Sequence, residues 1–121
     1  MSDDIANNTP ESKKWTVLCV DDEPNILSSL RRLFRAPGYR VLIAEGGAQA
    51  LDILSQEPVD LIISDMRMPM MDGAQLLEQV KDRWPHIVRL LLTGYADVTS
   101  TIAAINKGQI HRYMNKPWND D

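Results

Sequence analysis

Residues 61–73, LIISDMRMPMMDG, decide the fold of this chain. The apolar residues at the start of the stretch are typical of a short buried strand, which we expect to stop at Ser64 and Asp65. Asp72, with Gln75 three residues later, predicts the capped start of a helix. A buried strand that ends on an acidic residue and leads into a helix is typical of one unit of a parallel α/β sheet.

The same alternation of strand and helix continues on both sides of this stretch. The predicted strands are residues 15–20, 39–44, 61–63, 87–93 and 110–114, and the predicted helices contain residues 26–34, 50–54, 76–84 and 97–107. Five strands that alternate with four helices predict right-handed crossovers and a doubly wound α/β fold around a five-stranded parallel sheet.

Composition limits the class of protein. A chain of 121 residues with 44% hydrophobic residues fits one domain, which we place at residues 15–121 behind a flexible polar tail, residues 1–14. A net charge of −4 argues against direct nucleic-acid binding. The absence of a signal peptide and of a long apolar run predicts a cytoplasmic protein with no membrane contact. The single cysteine, Cys19, allows no internal disulfide, and we expect it to be buried.

Chemically useful side chains follow the predicted strands. In open parallel sheets, ligands bind beyond the carboxyl ends of the strands. That rule selects Asp21 and Asp22, Asp65, Thr93, and Lys116 within residues 115–117. Carboxylates that share one site repel each other, and Mg²⁺ relieves this while also accepting phosphate oxygens. Since a carboxylate can attack phosphorus, the set suits phosphoryl transfer onto an aspartate.

Each of these residues also has an ordinary structural interpretation. Asp21 or Asp22 could simply cap the first helix. Asp65 could be a turn residue, Thr93 a β-branched strand end, and Lys116 a solvated surface lysine. The ordered set at matching strand ends is what favours a functional site.

Four motifs together resemble the response regulator receiver family over about residues 15–118. They are VDDEP at residues 20–24, SDMRMPMMDG at residues 64–73, LTG at residues 92–94 and NKP at residues 115–117. The resemblance implies the flavodoxin-like strand order 2-1-3-4-5. It also implies a two-component phosphoacceptor, which assists only its own phosphorylation and dephosphorylation and is not otherwise an enzyme.

The resemblance assigns a metal site and a phosphoryl site. Asp65 would be the phosphoacceptor and a Mg²⁺ ligand. Asp22 would bind the ion directly and Asp21 largely through water, and the backbone carbonyl of Arg67 would complete the protein ligands. The phosphoryl group would be bound by Thr93, Gly94 and Lys116.

The resemblance also implies a conformational switch. Thr93 and Tyr113 would form the switch pair, and the bond between Lys116 and Pro117 would be cis. Bulky Arg67 and Tyr95 are expected to flank the path of attacking water and to prolong the aspartyl phosphate, unless both side chains point into solvent.

The resemblance implies partners on both sides of this step. A histidine kinase or phosphotransfer protein would donate the phosphoryl group. An output domain after residue 121, an HD-GYP-type phosphodiesterase or a DNA-binding activator, would respond to it. The family usually has a fifth helix after Pro117, which we expect to be missing or truncated here. One sheet face would then lack apolar cover, which favours formation of a homodimer, segment exchange or poor solubility.

Two other functions remain open at this point. The first is a pseudo-receiver, an interaction module that does not need phosphorylation. The second is a haloacid-dehalogenase-like phosphatase, which also forms an aspartyl phosphate. The motif of that family is DxD after the first strand, whereas here Asp65 is followed by Met66 and Arg67.

Overall fold

The computed structural model describes residues 14–93 in full, except the side chain of Thr93, and the backbone of residues 112–115. Strands and helices alternate along it. They are β1 (Thr16–Val20), α1 (Pro24–Arg35), β2 (Arg40–Ala44), α2 (Gly47–Gln56), β3 (Leu61–Asp65), α3 (Gly73–Arg83), β4 (Val88–Thr93) and β5 (Arg112–Asn115). The helix predicted at residues 97–107, the tail before Lys14 and a fifth helix all lie outside the described residues.

The five strands form one parallel sheet in the order β2-β1-β3-β4-β5. This confirms the predicted fold class and strand order. The predicted end of β3 was wrong, because the strand continues through Ser64 and Asp65. Both residues still pair with β4, opposite Leu91 and Leu92. The phosphoacceptor predicted from the sequence is therefore the last residue of the strand itself.

The core has two layers because the sheet is covered on both faces. Every residue of β1 is buried, as expected for a central strand of a parallel sheet. Leu18 and Ile62 belong to the layer that α2 and α3 cover. Cys19 and Ile63 belong to the layer on the α1 side. Consecutive strand residues point to opposite faces, so the near-continuous apolar runs supply both layers.

The helix starts differ from one another. Glu23 is the N-cap of α1 and makes no side-chain capping bond, so Asp21 and Asp22 are not the caps considered above. Pro24 stands in the first turn, where its missing N–H is no loss. At α3, the Asp72 carboxylate accepts from the Gln75 N–H and the Gln75 side chain accepts from the Asp72 N–H, at 2.8 and 2.9 Å. This capping box confirms the prediction made from the sequence.

The end of the sheet opposite the strands' carboxyl ends is held together at Asp60. Its N–H donates to the Thr16 carbonyl at 2.9 Å, and its carboxylate accepts from the Thr16 N–H at 2.9 Å. Its own carbonyl accepts from the Val88 N–H at 3.1 Å. One residue thus joins the starts of β1, β3 and β4.

The basic residues Arg31, Arg32 and Arg35 are exposed on α1, as expected for a solvated helix face. Within residues 14–93, no helix is both long enough and apolar enough to cross a membrane.

Candidate functional site

Three carboxylates meet where β1 and β3 end. Asp21 directly follows β1 and is fully buried, Asp22 is exposed, and Asp65 ends β3 with 5% exposure. One oxygen from each carboxylate lies within 4.8 Å of the others. The strands are direct neighbours, with Val20 opposite Ser64, so Asp21, the residue after β1, lies level with Asp65. We call Asp21, Asp22 and Asp65 the acidic cluster.

Local backbone geometry explains why adjacent residues Asp21 and Asp22 differ in exposure. The Asp21 N–H donates to the Ala44 carbonyl at 3.1 Å, which extends the pairing of β1 with β2 by one residue. The Asp21 carboxylate accepts from the Glu23 N–H at 2.9 Å, and this bond turns the chain towards α1. Asp22 lies on the outside of this turn, so the cluster has two buried members and one at its mouth.

The donor set fits a hard divalent cation. Mg²⁺ binds oxygen ligands at about 2.0–2.1 Å, so two oxygens on one ion lie about 3–4 Å apart. Oxygens that already lie within 4.8 Å of one another need only a small closure to share an ion. Mg²⁺ commonly uses one or two carboxylates and keeps several waters, and exposed Asp22 leaves the site open to water.

The main chain around Asp65 is tightly held. The buried Ser64 hydroxyl donates to the Asp65 carbonyl at 3.0 Å. The next N–H, of Met66, donates to the Leu92 carbonyl of β4 at 2.9 Å. The Met66 carbonyl accepts from the Gly73 N–H at 2.8 Å, which closes the loop between β3 and α3. We call residues 66–72 the β3–α3 loop.

The β3–α3 loop contains four methionines, a residue type that can form an adaptable partner surface but in such a loop more often fills the core beside it. Met66 and Met68 are buried, at 7% and 9% exposure, and Met71 packs against the same core layer. Met70 is the exception, since it is fully exposed at 102% and has a positive φ of 73°. The core interpretation is therefore confirmed for three of the four.

The other predicted site residues lie on or beyond β4 and β5. Thr93 ends β4 opposite Asn115 of β5, one position beyond the level of Asp65, which pairs with Leu92. Tyr113 lies in β5 opposite Leu91. The structure describes the backbone of Thr93 and Tyr113, and Arg67 has an exposed side chain in the β3–α3 loop. Gly94, Tyr95, Lys116 and the bond from Lys116 to Pro117 lie outside the described residues.

The sequence did not single out Ser64 or Gly73 as residues that contact the main chain of Asp65. A signal for Gly73 was present, because a glycine directly after a helix N-cap replaces a residue with better helix propensity and so indicates close backbone packing. Ser64 gave no such signal, since a serine at a strand end is ordinary.

The chain belongs to the response regulator receiver domain family, whose profile matches residues 17–121. Receiver domains are components of two-component systems. They bind Mg²⁺ through an acidic pocket, interact with histidine kinases and are linked to output domains. The acidic cluster is the corresponding feature of this structure.

Curated relatives and solved structures agree with this assignment. The chain is 40% identical over 109 residues to the hydrogenase transcriptional regulatory protein HoxA of Cupriavidus necator, covering 90% of this chain and 22% of HoxA. It is 34% identical to the DNA-binding transcriptional regulator NtrC of Escherichia coli, covering 90% of this chain and 23% of NtrC. The chain thus spans under a quarter of the length of these relatives.

Among solved structures, the signal receiver domain of an HD domain-containing protein from Pseudomonas fluorescens superposes with a TM-score of 0.85. The two are 39% identical, and the match covers 89% of this chain and 86% of that one.

Proposed function

We propose that this receiver domain accepts a phosphoryl group on Asp65 in the presence of Mg²⁺ and transmits the change to a linked output domain. The observation that carries the proposal is the acidic cluster, with three carboxylate oxygens within 4.8 Å of one another at the ends of β1 and β3. Asp65 lies at the strand end, where the sheet leaves room for a ligand.

The reaction is a displacement at phosphorus. A carboxylate oxygen of Asp65 attacks the phosphorus of a phosphohistidine on the donor kinase or phosphotransfer protein. The new P–O bond forms as the P–N bond breaks, and the imidazole leaves and keeps the electron pair. Lys116, the Thr93 hydroxyl and the Gly94 N–H bind the phosphoryl oxygens.

Four residues would form the metal site. Asp65 and Asp22 would hold Mg²⁺ directly, Asp21 would hold it largely through water, and the Arg67 carbonyl would supply a further oxygen. When bound, Mg²⁺ supplies positive charge beside the phosphoryl oxygens. The chain's own part is to keep the acidic oxygens close together and the Asp65 oxygen pointed at the donor.

Phosphorylation acts as a switch. The phosphoryl group adds negative charge and acceptor oxygens at Asp65, and Thr93 and Tyr113 rearrange in response. The names of HoxA and NtrC, both transcriptional regulators, support a DNA-binding activator as the output domain. The HD domain-containing neighbour supports a phosphodiesterase-type output instead. The gene sequence downstream of codon 121 distinguishes these two outputs.

The phosphoacceptor is tested by intact-protein mass spectrometry after incubation with phosphoramidate and Mg²⁺. We expect the wild type to gain about 80 Da, one phosphoryl group. The gain should disappear in Asp65→Asn and after removal of Mg²⁺ with EDTA. Asp82→Asn is the matched control, because Asp82 is exposed on α3, away from the acidic cluster, and should be labelled like the wild type.

Two results would contradict the proposal. A wild type that gains no mass would indicate a pseudo-receiver, and a gain that persists in Asp65→Asn would move the phosphoacceptor elsewhere. Steady turnover of p-nitrophenyl phosphate would instead support the phosphatase alternative.

A further inference from the structure

Gly73 touches the main chain of the predicted phosphoacceptor. A methyl group at Gly73 would overlap the Asp65 carbonyl oxygen and would also lie 3.0 Å from Cδ1 of Leu91. The Asp65 carbonyl oxygen belongs to the backbone of β3, which is paired with β1 on one side and with β4 on the other. It therefore cannot move away at low energetic cost. Any side chain at this position must therefore displace β3, the start of α3, or both.

Ser64 holds the same carbonyl by a hydrogen bond. Its side chain is fully buried, and its hydroxyl donates to the Asp65 carbonyl oxygen at 3.0 Å. The Asp65 carbonyl oxygen thus contacts two groups, the Ser64 hydroxyl, which donates to it, and the Cα of Gly73. Together these two contacts restrict rotation of the Asp65 carbonyl group. Because the side chain is attached to the neighbouring Cα, they also restrict the position of the carboxylate.

The contact also fixes the loop that follows. The Gly73 N–H donates to the Met66 carbonyl at 2.8 Å, so the loop closes directly behind Asp65. The Arg67 carbonyl, the backbone ligand that we propose for Mg²⁺, is one residue beyond this bond. A shift at Gly73 would therefore move two proposed metal ligands, the Asp65 carboxylate and the Arg67 carbonyl, relative to Asp21 and Asp22.

We propose that Gly73 and Ser64 are positioning residues, which hold the backbone of Asp65 so that its carboxylate stays within reach of the other two acidic side chains. This inference rests on the proposed function, since it concerns the same acidic cluster. Neither residue touches the reacting atoms, and both act through the Asp65 carbonyl.

The experiment measures Mg²⁺ binding by isothermal titration calorimetry and thermal stability by circular dichroism for Gly73→Ala and Ser64→Ala. Residues that orient metal ligands typically change metal affinity about 10–100-fold when they are substituted. We expect a loss in this range for Gly73→Ala and a loss of about tenfold for Ser64→Ala.

Two controls separate positioning from general destabilisation. Leu54→Ala empties a buried site on α2, away from the acidic cluster, and should lower the Tm while Mg²⁺ affinity stays at the wild-type value. Gly46→Ala adds a methyl group where no atom lies within 4 Å, and should change neither property much.

The proposal is supported if Gly73→Ala and Ser64→Ala both bind Mg²⁺ more weakly than Leu54→Ala does, although Leu54→Ala loses as much Tm or more. Wild-type affinity in Ser64→Ala, or in a folded Gly73→Ala, overturns it. If Gly73→Ala does not fold, Ser64→Ala decides alone. A wild type that binds Mg²⁺ but takes no phosphoryl group would refute the proposed function and leave this measurement valid.

Discussion

Met70 has a backbone conformation that its side chain does not favour. Its φ of 73° lies in the left-handed region, and its side chain is fully exposed. Replacement of Met70 by glycine should therefore stabilise the domain, although glycine substitutions usually destabilise. The direction of the effect depends on this one angle.

The magnitude follows from two opposing effects. A left-handed conformation costs a non-glycine residue about 1–2 kcal/mol. Glycine adds flexibility to the unfolded chain, which costs about 0.5–1 kcal/mol. Full exposure means that little packing is lost with the methionine side chain. The net gain is about 0.5–1 kcal/mol, or about 2–5 °C in Tm for a domain of this size.

Urea titration and thermal melts of Met70→Gly measure this gain. Ala36→Gly is the matched control, because Ala36 is exposed but has an ordinary helical φ of −58°. That control should lose about 0.5–1 kcal/mol. Met70→Asn should also be stabilising, since asparagine tolerates the left-handed region. A Met70→Gly variant that melts below the wild type would refute the reasoning.

Three further predictions concern a thiol, a helix cap and the lifetime of the phosphate. Burial raises the pKa of the Cys19 thiol to about 12, so the folded protein should resist thiol reagents at pH 8 and react only after denaturation. Rapid labelling of the folded protein would contradict this protection. Because the pKa of the thiol is higher in the folded state than in the unfolded state, the free energy of unfolding should fall as pH rises from about 9 towards 12. Asp72→Ala removes the capping box and should cost about 1–2 kcal/mol in urea titrations, whereas Asp82→Ala at the other end of the same helix should cost nothing. Arg67→Ser should speed loss of the phosphoryl group, followed by mass spectrometry after the donor is removed, and an unchanged decay would rule out shielding by this side chain.

The alternation of strands and helices and the acidic cluster could be predicted from local patterns, and the strand order from the resemblance to the receiver family. Each central strand is an apolar run, and the runs of β1 and β3 lead directly into acidic residues. Parallel strands bring such ends to one edge of the sheet. The Asp72–Gln75 cap was equally local and was confirmed.

The features that the sequence did not reveal depend on contacts between distant segments. The final residues of β3 look like a strand exit in the sequence. Pairing of Ser64 and Asp65 with Leu91 and Leu92 of β4, and of Ser64 with Val20 of β1, keeps them in the sheet. The glycine after the Asp72 cap indicates close backbone packing, but only the structure shows that the atom it packs against is the Asp65 carbonyl oxygen. The positive φ of Met70 was hidden because methionine is not a residue that predicts it.

The bonds at Asp60 have a consequence for the far end of the sheet. A strand rises about 3.3 Å per residue, so a one-residue slip between β1 and β3 would carry Asp65 by that distance and turn its side chain to the opposite face. Asp60 prevents such a slip by tying Thr16 and Val88 to the residue just before β3. The register that brings the carboxylates together is thus fixed five residues before Asp65, and substitution of Asp60 would misalign the acidic cluster at the other end of the sheet.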